Sequence, residues 1–140
     1  EDTKNTVDYL QTRVSQQVNF NFEAPQHPIL VEINPALHSW TIENLVKNAI
    51  DAMKGKGSLN IGISELEDIV KISITDSGKG IPKNQFTKVF EPGFTTKKRG
   101  WGLGLSLTKR IVQEYHKGKI KVVHSEIGKG TTMQISYKTT

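Results

Sequence analysis

Two asparagines and an aspartate stand at helical spacing in the segment 35–53. Asn44, Asn48 and Asp51 lie at i, i+4 and i+7, so a helix would bring them onto one polar stripe, away from its apolar side. Asparagine is a mediocre helix former, and two carboxamide oxygens one turn apart suit a hydrated Mg²⁺ ion that also takes phosphate oxygens. Taken alone, such a stripe is more often simply the solvated side of a helix, so it does not by itself establish a metal site.

Asp76 is a carboxylate at the end of an apolar strand pattern. It continues the alternation of Val70, Ile72 and Ile74, so it points to the same face as those side chains. A carboxylate there is costly unless it accepts hydrogen bonds, and an amino group such as that of adenine would supply them. The segment 77–82 that follows has glycines at which the backbone can approach a planar ligand. A simple turn cap at the strand end explains the same residues, and both interpretations remain open at this point.

A second glycine-rich segment, 100–106, leads directly into a predicted helix. Glycine N–H groups beside a helix N-terminus form an anion site. The spacing is neither a dinucleotide-binding fingerprint, which follows a strand, nor a Walker loop, which ends in Gly-Lys-Ser/Thr. The preceding hydroxyls and cations of segment 94–99 could reach a terminal phosphate. Thr131 heads a further inward strand face, shared with Met133, Ile135 and Tyr137, which suggests one pocket shared with Asp76.

Periodicity places these residues on secondary-structure elements. It predicts helices at 3–17, 35–53, 83–88 and 104–116, and strands at 18–22, 29–33, 59–63, 70–74, 120–124 and 131–137. The helix 35–53 has a buried stripe made of Ile42, Leu45, Val46, Ala49 and Met53. The long unpatterned stretch 83–101 is a candidate functional loop. The fold class is α+β, a two-layer sandwich with helices on one face of a mixed sheet.

Composition narrows the class of protein. The 140 residues, 35% hydrophobic and 24% charged, suit a single domain, 1–140, with one modest core. No apolar run approaches the roughly 18 residues of a membrane span, so we expect no membrane contact. The absence of cysteine excludes disulfides and a cysteine nucleophile and fits a reducing compartment. The net charge of +5 is scattered without a recognition motif, so we expect no nucleic-acid partner.

Five segments in order resemble the ATP-binding catalytic domain of sensor histidine kinases, in the superfamily shared with gyrase, the heat-shock ATPase chaperone and the mismatch-repair ATPase. Residues 44–52 (NLVKNAIDA) match the N box and 76–82 (DSGKGIP) the G1 box. Residues 90–97 (FEPGFTTK) look like the F box, 100–106 (GWGLGLS) like the G2 box and 128–132 (GKGTT) like the last box. The resemblance covers nearly the whole chain and implies a Bergerat-type ATP-binding fold with a mixed, mostly antiparallel sheet.

The resemblance implies a role for each of these residues. Asn44 would stand beside the phosphates and Lys97 near the γ-phosphate as catalytic residues, while Asn48 would hold Mg²⁺. Asp76 would accept the adenine amino group, and 90–101 would form a lid over the nucleotide. The implied nucleotide-binding set is Asn44, Lys47, Asn48, Asp51, Ala52, Asp76, Gly78, Gly80, Ile81, Thr95, Thr96, Lys97, Gly100, Trp101, Gly102, Leu103, Gly104, Leu105 and Thr131.

The implied activity is transfer of the γ-phosphoryl group of Mg-ATP to a protein histidine. Hydrolytic relatives carry a glutamate at the position of Asn44, and a carboxamide cannot act as a base near neutral pH, so slow hydrolysis is expected. The alternatives are a clamp-type ATPase and a degenerate domain that serves only for protein interaction. Gly93 stands where the F box usually has phenylalanine, and Asp51 where many members carry a basic residue.

The acceptor histidine of this scheme is not expected within the chain. His27, His38, His116 and His124 lie inside or between elements of the nucleotide domain. The chain opens at Glu1 without a start methionine, so we expect a segment of a longer protein. The implied partners are the dimerisation and phosphoacceptor helices of that parent protein and the receiver domain of a response regulator. The implied location is the cytoplasm, with a parent that is either free or anchored in the inner membrane.

Overall fold

A computed structural model of the chain describes residues 2–11, 18–24, 34–53, 56–91 and 104–139. The predicted strand 29–33, the last part (12–17) of the predicted helix 3–17 and the part of the predicted lid from 92 onward lie outside these ranges. The described helices are α1 (Asp2–Gln11), α2 (Pro35–Ala52) and α3 (Gly104–Arg110), and a π-helical segment follows at Ile111–Tyr115. The strands are β1 (Val18–Glu23), β2 (Gly57–Leu66), β3 (Ile69–Asp76), β4 (Lys119–Glu126) and β5 (Gly130–Lys138).

The described strands form one sheet in the order β1-β2-β3-β5-β4. β1 runs parallel to β2, and the other neighbouring pairs are antiparallel. Alternate residues such as Leu59, Ile72 and Ile135 are buried towards the helices, whereas the intervening positions are more polar and more exposed. The prediction of a mixed, mostly antiparallel sheet with helices on one face is confirmed.

α2 is the central helix of the helical layer. It begins where the sequence predicts, because the Asn34 side chain accepts a hydrogen bond from the Leu37 N–H at 3.1 Å and Pro35 occupies the first turn. Its predicted apolar stripe is buried, and Ile42 and Val46 are 0% exposed. α2 therefore has one side fixed in the core, which determines where its polar side chains lie.

Two predicted helices differ from the structure. The segment predicted at 83–88 instead forms two short 3₁₀ helices, Lys83–Gln85 and Lys88–Phe90, with hydrogen bonds between residues three apart, such as that from the Gln85 N–H to the Pro82 carbonyl at 2.8 Å. The helix predicted at 104–116 is α-helical only to Arg110 and then widens into the π segment, in which the His116 N–H donates to the Ile111 carbonyl at 3.1 Å. The wider turn keeps Val112 fully buried.

The end of this π segment is tied to the start of α2. The Asn34 N–H donates to His116 Nε2 at 3.0 Å, so the imidazole is neutral, with its proton on Nδ1. Burial lowers the pKa of His116 and favours this neutral form. The ring also packs edge-on against Tyr137, with centroids 5.7 Å apart.

α1 is fastened to α2 by two pairs of polar side chains. Thr3 Oγ1 lies 2.7 Å from His38 Nε2 in a buried position, and Thr6 Oγ1 donates to Ser39 Oγ at 3.1 Å. His38 is 2% exposed and therefore packs in the interior. The described helices are all too short or too polar to cross a bilayer.

An irregularity interrupts β4 beside β5. Val122 pairs with Met133, but His124 pairs with Thr132, so two steps along β4 match one step along β5. The extra residue, Val123, is therefore a β-bulge, which reverses the face on which the following residues of β4 lie. Ser125 consequently stands directly opposite Thr131.

Candidate functional site

Three polar side chains stand in one row across the end of the sheet. Asp76 on β3 is the cross-strand partner of Thr131 on β5, which is in turn the partner of Ser125 on β4. Directly opposite residues project to the same face of a sheet, here the face that the helices cover. Thr131 is 5% exposed, and Asp76 and Ser125 are half-buried. The two residues that the sequence placed at the ends of inward strand faces are thus direct neighbours.

Among the described residues, two backbone N–H groups donate to the Asp76 carboxylate. Its Oδ1 accepts the Gly78 N–H at 2.8 Å, and the Thr131 N–H also donates to the side chain. Burial raises the pKa of Asp76, while these two backbone hydrogen bonds act in the opposite direction. A carboxylate has about four lone-pair positions, so Asp76 can still accept hydrogen bonds from a ligand that carries N–H groups.

The loop after Asp76 packs closely on the last turn of α2. A Cβ at Gly78 would lie 2.6 Å from the carbonyl carbon and oxygen of Ala52, so only glycine permits this approach. The Lys79 N–H donates to the same Ala52 oxygen at 3.1 Å. Further on, Gly80 has φ +82° and lies against the Glu126 carbonyl, and the Ile81 N–H donates to Ser125 Oγ at 2.7 Å. The loop is therefore held between α2 and β4.

Residues four apart along α2 connect this loop with α3. Asn44, Asn48 and Ala52 follow one another at i, i+4 and i+8, which places them along one side of the helix. Ala52 contacts the loop after Asp76, and Asn44 contacts the start of α3. Asn48, which is half-buried, stands between these two contacts. Asp76 and Asn48 therefore border the same side of the molecule.

Asn44 is held against the start of α3 by Thr108. Asn44 Nδ2 donates to Thr108 Oγ1 at 2.8 Å, and Thr108 Oγ1 donates to the Gly104 carbonyl at 2.8 Å. Since the hydroxyl proton is used on Gly104, Thr108 can only accept from Asn44, which fixes the orientation of the carboxamide. A Cβ at Gly104 would lie 2.9 Å from Asn44 Oδ1, so the absence of a side chain lets the helices approach.

The remaining predicted site residues fall into three groups. Lys47 Nζ pairs with Glu43 Oε1 at 2.8 Å on the exposed side of α2, and Asp51 is also exposed. Ile81 and Leu105 are partly buried and pack against the core. The members that lie outside the described residues are Thr95, Thr96, Lys97, Gly100, Trp101, Gly102 and Leu103.

The described start of the predicted lid is anchored on α3. Phe90 is 6% exposed, and Lys109 Nζ lies 5.8 Å from the centre of its ring, within range of a cation–π interaction. The chain thus leaves the core at a fixed point next to α3 before it enters the segment 92–103.

Sequence reasoning missed two residues of this site, Ser125 and Thr108. Both are common polar types without a motif of their own, and their roles come from tertiary hydrogen bonds. Thr108 stands four residues after Gly104, a spacing at which a threonine can reach back to a carbonyl, so a weak signal existed. The position of Ser125 depends on the bulge at Val123, for which the adjacent residues Val122 and Val123 are only a weak signal in the sequence.

The arrangement offers different chemistry along its length. At the sheet end, Asp76 can accept hydrogen bonds from an N–H-bearing ring. Along α2, the carboxamides of Asn44 and Asn48 provide neutral oxygens suited to a hydrated Mg²⁺ ion shared with phosphate oxygens. The start of α3, beside Asn44, presents backbone N–H groups of the kind that bind anions. A ligand with an N–H-bearing ring at one end and metal-bound anionic groups at the other would match this order.

Comparison with known proteins identifies a matching family and several relatives. Residues 36–140 match the family described as histidine kinase-, DNA gyrase B-, and HSP90-like ATPase. The chain is 39% identical over 121 residues to Sensor histidine kinase ZraS of Escherichia coli (strain K12), covering 86% of this chain and 26% of that protein. It is 43% identical over 94 residues to Sporulation kinase A of Bacillus subtilis (strain 168), covering 67% and 15%. The chain thus spans about a quarter or less of these relatives.

Solved structures show the same fold. The nucleotide-free catalytic domain of histidine kinase ThkA matches with a TM-score of 0.86 at 28% identity, covering 98% of this chain and 90% of that one. Histidine kinase ThkA in complex with the response regulator protein TrrA matches with a TM-score of 0.84 at 27% identity, covering 99% of this chain and 40% of that one.

Proposed function

Because the chain belongs to the histidine kinase-, DNA gyrase B-, and HSP90-like ATPase family, we propose that it binds Mg-ATP and donates the γ-phosphoryl group to a protein histidine. The observation that carries this proposal is the line Asn44, Asn48 and Ala52 on α2. One end of this line touches the loop of Asp76 and the other touches the start of α3. A single nucleotide lying along α2 would contact the elements at both ends.

Each part of the cleft would have one task in binding. Asp76 would accept the amino group of adenine, and Thr131 would close that end of the pocket. Mg²⁺ would be held by Asn48 together with phosphate oxygens, and when bound it would neutralise charge on the phosphates. Asn44 and Gly104 would lie at the γ-phosphate, with Lys97 of the segment outside the described residues as the implied cation. Phosphoryl transfer needs mainly positioning and charge stabilisation.

The carboxamide of Asn44 favours transfer of the γ-phosphoryl group to a protein over hydrolysis of ATP. This carboxamide is held by Thr108 at 2.8 Å and cannot take a proton from water near neutral pH. Glu43, the adjacent acid, is turned around the helix and pairs with Lys47, so it does not replace the missing base. We therefore assign the chain to the kinases of its family and not to the clamp-type ATPases.

The partners follow from the same proposal. The phosphoryl acceptor would be a histidine on dimerisation helices of a longer parent protein, and the phosphoryl group would pass on to a response regulator. The relatives named above are sensor and sporulation kinases, and the ThkA structure contains a response regulator, which supports a two-component system. Such a catalytic domain would work in the cytoplasm.

Two measurements test the proposal. Titration calorimetry of the chain with ADP and ATP in the presence of Mg²⁺ is expected to show binding that Asp76→Asn abolishes. Incubation with ATP and a supplied acceptor-histidine domain of a sensor kinase is expected to phosphorylate that domain, with hydrolysis barely above background in its absence. Unchanged affinity in the variant would show that the pocket is misassigned, and brisk turnover without acceptor would favour a clamp-type ATPase.

A further inference from the structure

The bulge in β4 brings a serine into the row of polar residues that ends the sheet. Without the extra residue at Val123, the pairing of Val122 with Met133 would continue regularly and place His124 opposite Thr131. With the bulge, Ser125 takes this place and projects to the same face as Thr131 and Asp76. β-Bulges often re-aim a side chain next to a functional site, so the position of Ser125 calls for an explanation of its own.

Ser125 Oγ has three hydrogen-bonding neighbours within the described residues. The Ile81 N–H donates to it at 2.7 Å, the Gly130 carbonyl lies at 3.0 Å, and Thr131 Oγ1 lies at 2.7 Å. A hydroxyl has one proton and two acceptor positions. The amide of Ile81 can only donate, and the carbonyl of Gly130 can only accept. The Ser125 hydroxyl therefore donates its proton to the Gly130 carbonyl, and the Thr131 hydroxyl must donate to Ser125.

This chain of hydrogen bonds determines what Thr131 can present to a ligand. Its only proton points to Ser125, so any remaining capacity of its oxygen is that of an acceptor. Asp76, the neighbour on the other side, is also an acceptor when ionised. The two side chains together form a wall that accepts hydrogen bonds but does not donate them.

We propose that Ser125 is a positioning residue that makes the base pocket selective for a 6-amino purine over a 6-oxo purine, because it holds the proton of Thr131 away from the ligand. This inference rests on the proposed nucleotide-binding function. Adenine presents an amino group that donates, whereas guanine presents an oxygen at the same ring position. In the proposed binding mode Asp76 and Thr131 face ring position 6, where an acceptor-only wall repels that oxygen. The cost of an unmatched polar group at this position provides the discrimination. The neighbouring N1, which accepts in adenine and carries a proton in guanine, would face groups other than these two side chains.

Removing the Ser125 hydroxyl would release the proton of Thr131. In Ser125→Ala, Thr131 can rotate its hydroxyl towards the pocket and donate to a guanine oxygen. We expect the ratio of ADP affinity to GDP affinity, measured by calorimetry with Mg²⁺, to fall by about tenfold relative to the unmodified chain. Ser125→Thr, which keeps the hydroxyl, should restore most of the ratio. Ser73→Ala, which removes a half-buried hydroxyl bonded to Gln134 on the opposite face, should leave it unchanged.

A double-variant experiment separates positioning from a general structural effect. If Ser125 acts through Thr131, then Ser125→Ala should not alter the ADP-to-GDP ratio in a Thr131→Val background, which has no hydroxyl to redirect. Ser125→Cys, which keeps a side chain of similar size and offers the Thr131 proton only a weak acceptor, provides a second measurement if the alanine variant does not fold. We expect it to lower the ratio by a smaller factor.

The possible outcomes are distinct. An unchanged ratio in both Ser125→Ala and Ser125→Cys overturns the inference, as does an equal loss of affinity for the two nucleotides. A change of ratio that persists in the Thr131→Val background overturns it as well. An unmodified chain that binds neither ADP nor ATP overturns the proposed function itself, whereas selective ADP binding that survives the loss of Ser125 overturns only the inference drawn here.

Discussion

Hydroxyl protons decide what several side chains of the cleft can offer a ligand. The Thr108 hydroxyl donates to the Gly104 carbonyl and therefore accepts a hydrogen bond from the Asn44 amide. The Thr131 hydroxyl donates to Ser125. Both threonines are almost fully buried, at 0% and 5% exposure, so water does not compete with these bonds. The carboxamide at one end of the cleft and the acceptor wall at the other are oriented before any ligand arrives.

Asp76 should make the stability of the free chain depend on pH. Burial raises its pKa above the ordinary value of 3.8, so the folded chain binds more protons than the unfolded chain between the two pKa values, and this contribution to stability falls as pH rises. Asp76→Asn removes the titration. We expect the unfolding temperature of the variant, relative to the unmodified chain, to improve steadily from acidic to neutral pH in circular dichroism melts. A difference that does not vary with pH would contradict the assigned burial.

Asn48 should control the effect of magnesium more than the binding of the base. Asn48→Ala removes the carboxamide oxygen beside the proposed phosphate position, and the loss of such a ligand should lower metal affinity by about tenfold or more. Titrations of ATP with Mg²⁺ and with EDTA should therefore give similar affinities in the variant, while adenosine binding is retained. Asn60→Ala, an exposed asparagine on β2, is the control. If Mg²⁺ still raised the ATP affinity of Asn48→Ala as much as that of the unmodified chain, Asn48 would not be the metal ligand.

Regular elements follow from periodicity, whereas the irregular ones depend on tertiary contacts. The alternating apolar residues of β3 predict a strand, and the stripe of Ile42 and Val46 predicts the helix α2. Both predictions succeed because an element with one buried side carries apolar residues at the spacing of its own geometry. No such period marks the change from α- to π-helix at Ile111, which depends on partners at Asn34 and in the core. The same holds for the bulge at Val123, since the apolar residues of β4 alternate without interruption up to Val122.

The site was predictable to the extent that its residues carry motifs. Asp76, Gly78 and Asn44 occur in recognisable segments, and the structure gives each a close contact or hydrogen bond. Ser125 was not predictable, because its role exists only when the register of β4 is known. Whether Lys97 and Gly102 contact phosphates remains a prediction, as they lie outside the described residues.

The contact between α2 and α3 should be sensitive to a single methyl group. In Gly104→Ala, the new Cβ would lie 2.9 Å from Asn44 Oδ1, and Asn44 cannot yield without losing its bond to Thr108. Overpacking of this kind costs about 1–3 kcal/mol, so we expect ATP affinity to fall by about tenfold while adenosine affinity is unchanged. Titration calorimetry with both ligands is the measurement.

The matched control is Gly62→Ala on β2, where a Cβ would meet nothing within 4 Å. It should leave both affinities unchanged and stabilise the strand by a few tenths of a kcal/mol up to about 1 kcal/mol. Equal losses of ATP and adenosine affinity in Gly104→Ala would instead indicate a general disturbance of the fold.

At the scale of the whole molecule, hydrogen bonds join α1 to the helix that carries two of the proposed site residues. α1 bonds to α2 through Thr3 and Thr6, and α2 in turn carries Asn44 and Asn48. α1 therefore packs in one body with the helix that carries these two asparagines. The buried pair of Thr3 and His38 is the closest of these contacts, at 2.7 Å.

Loss of the hydrogen bond between Thr3 and His38 should lower the free energy of unfolding of the chain. Thr3→Val removes the hydroxyl partner of buried His38 Nε2, and loss of a buried hydrogen-bond partner costs about 1–3 kcal/mol. We expect the free energy of unfolding in urea to fall by that amount, with unchanged affinity for ADP at temperatures where the variant is folded. Thr3→Ser, which retains the hydroxyl, should behave like the unmodified chain. Equal stability of the valine and serine variants would show that the pair contributes little.

The bulge in β4 also affects how the molecule behaves among its own copies. Among the described strands, β4 is an outermost strand of the sheet, and the unpaired backbone groups of such a strand can pair with another chain and start aggregation. The extra residue at Val123 bends the strand, and the exposed Lys119 and Lys121 would repel a second β4 laid against it. The irregularity that brings Ser125 beside Thr131 thereby also protects the chain from edge-to-edge polymerisation.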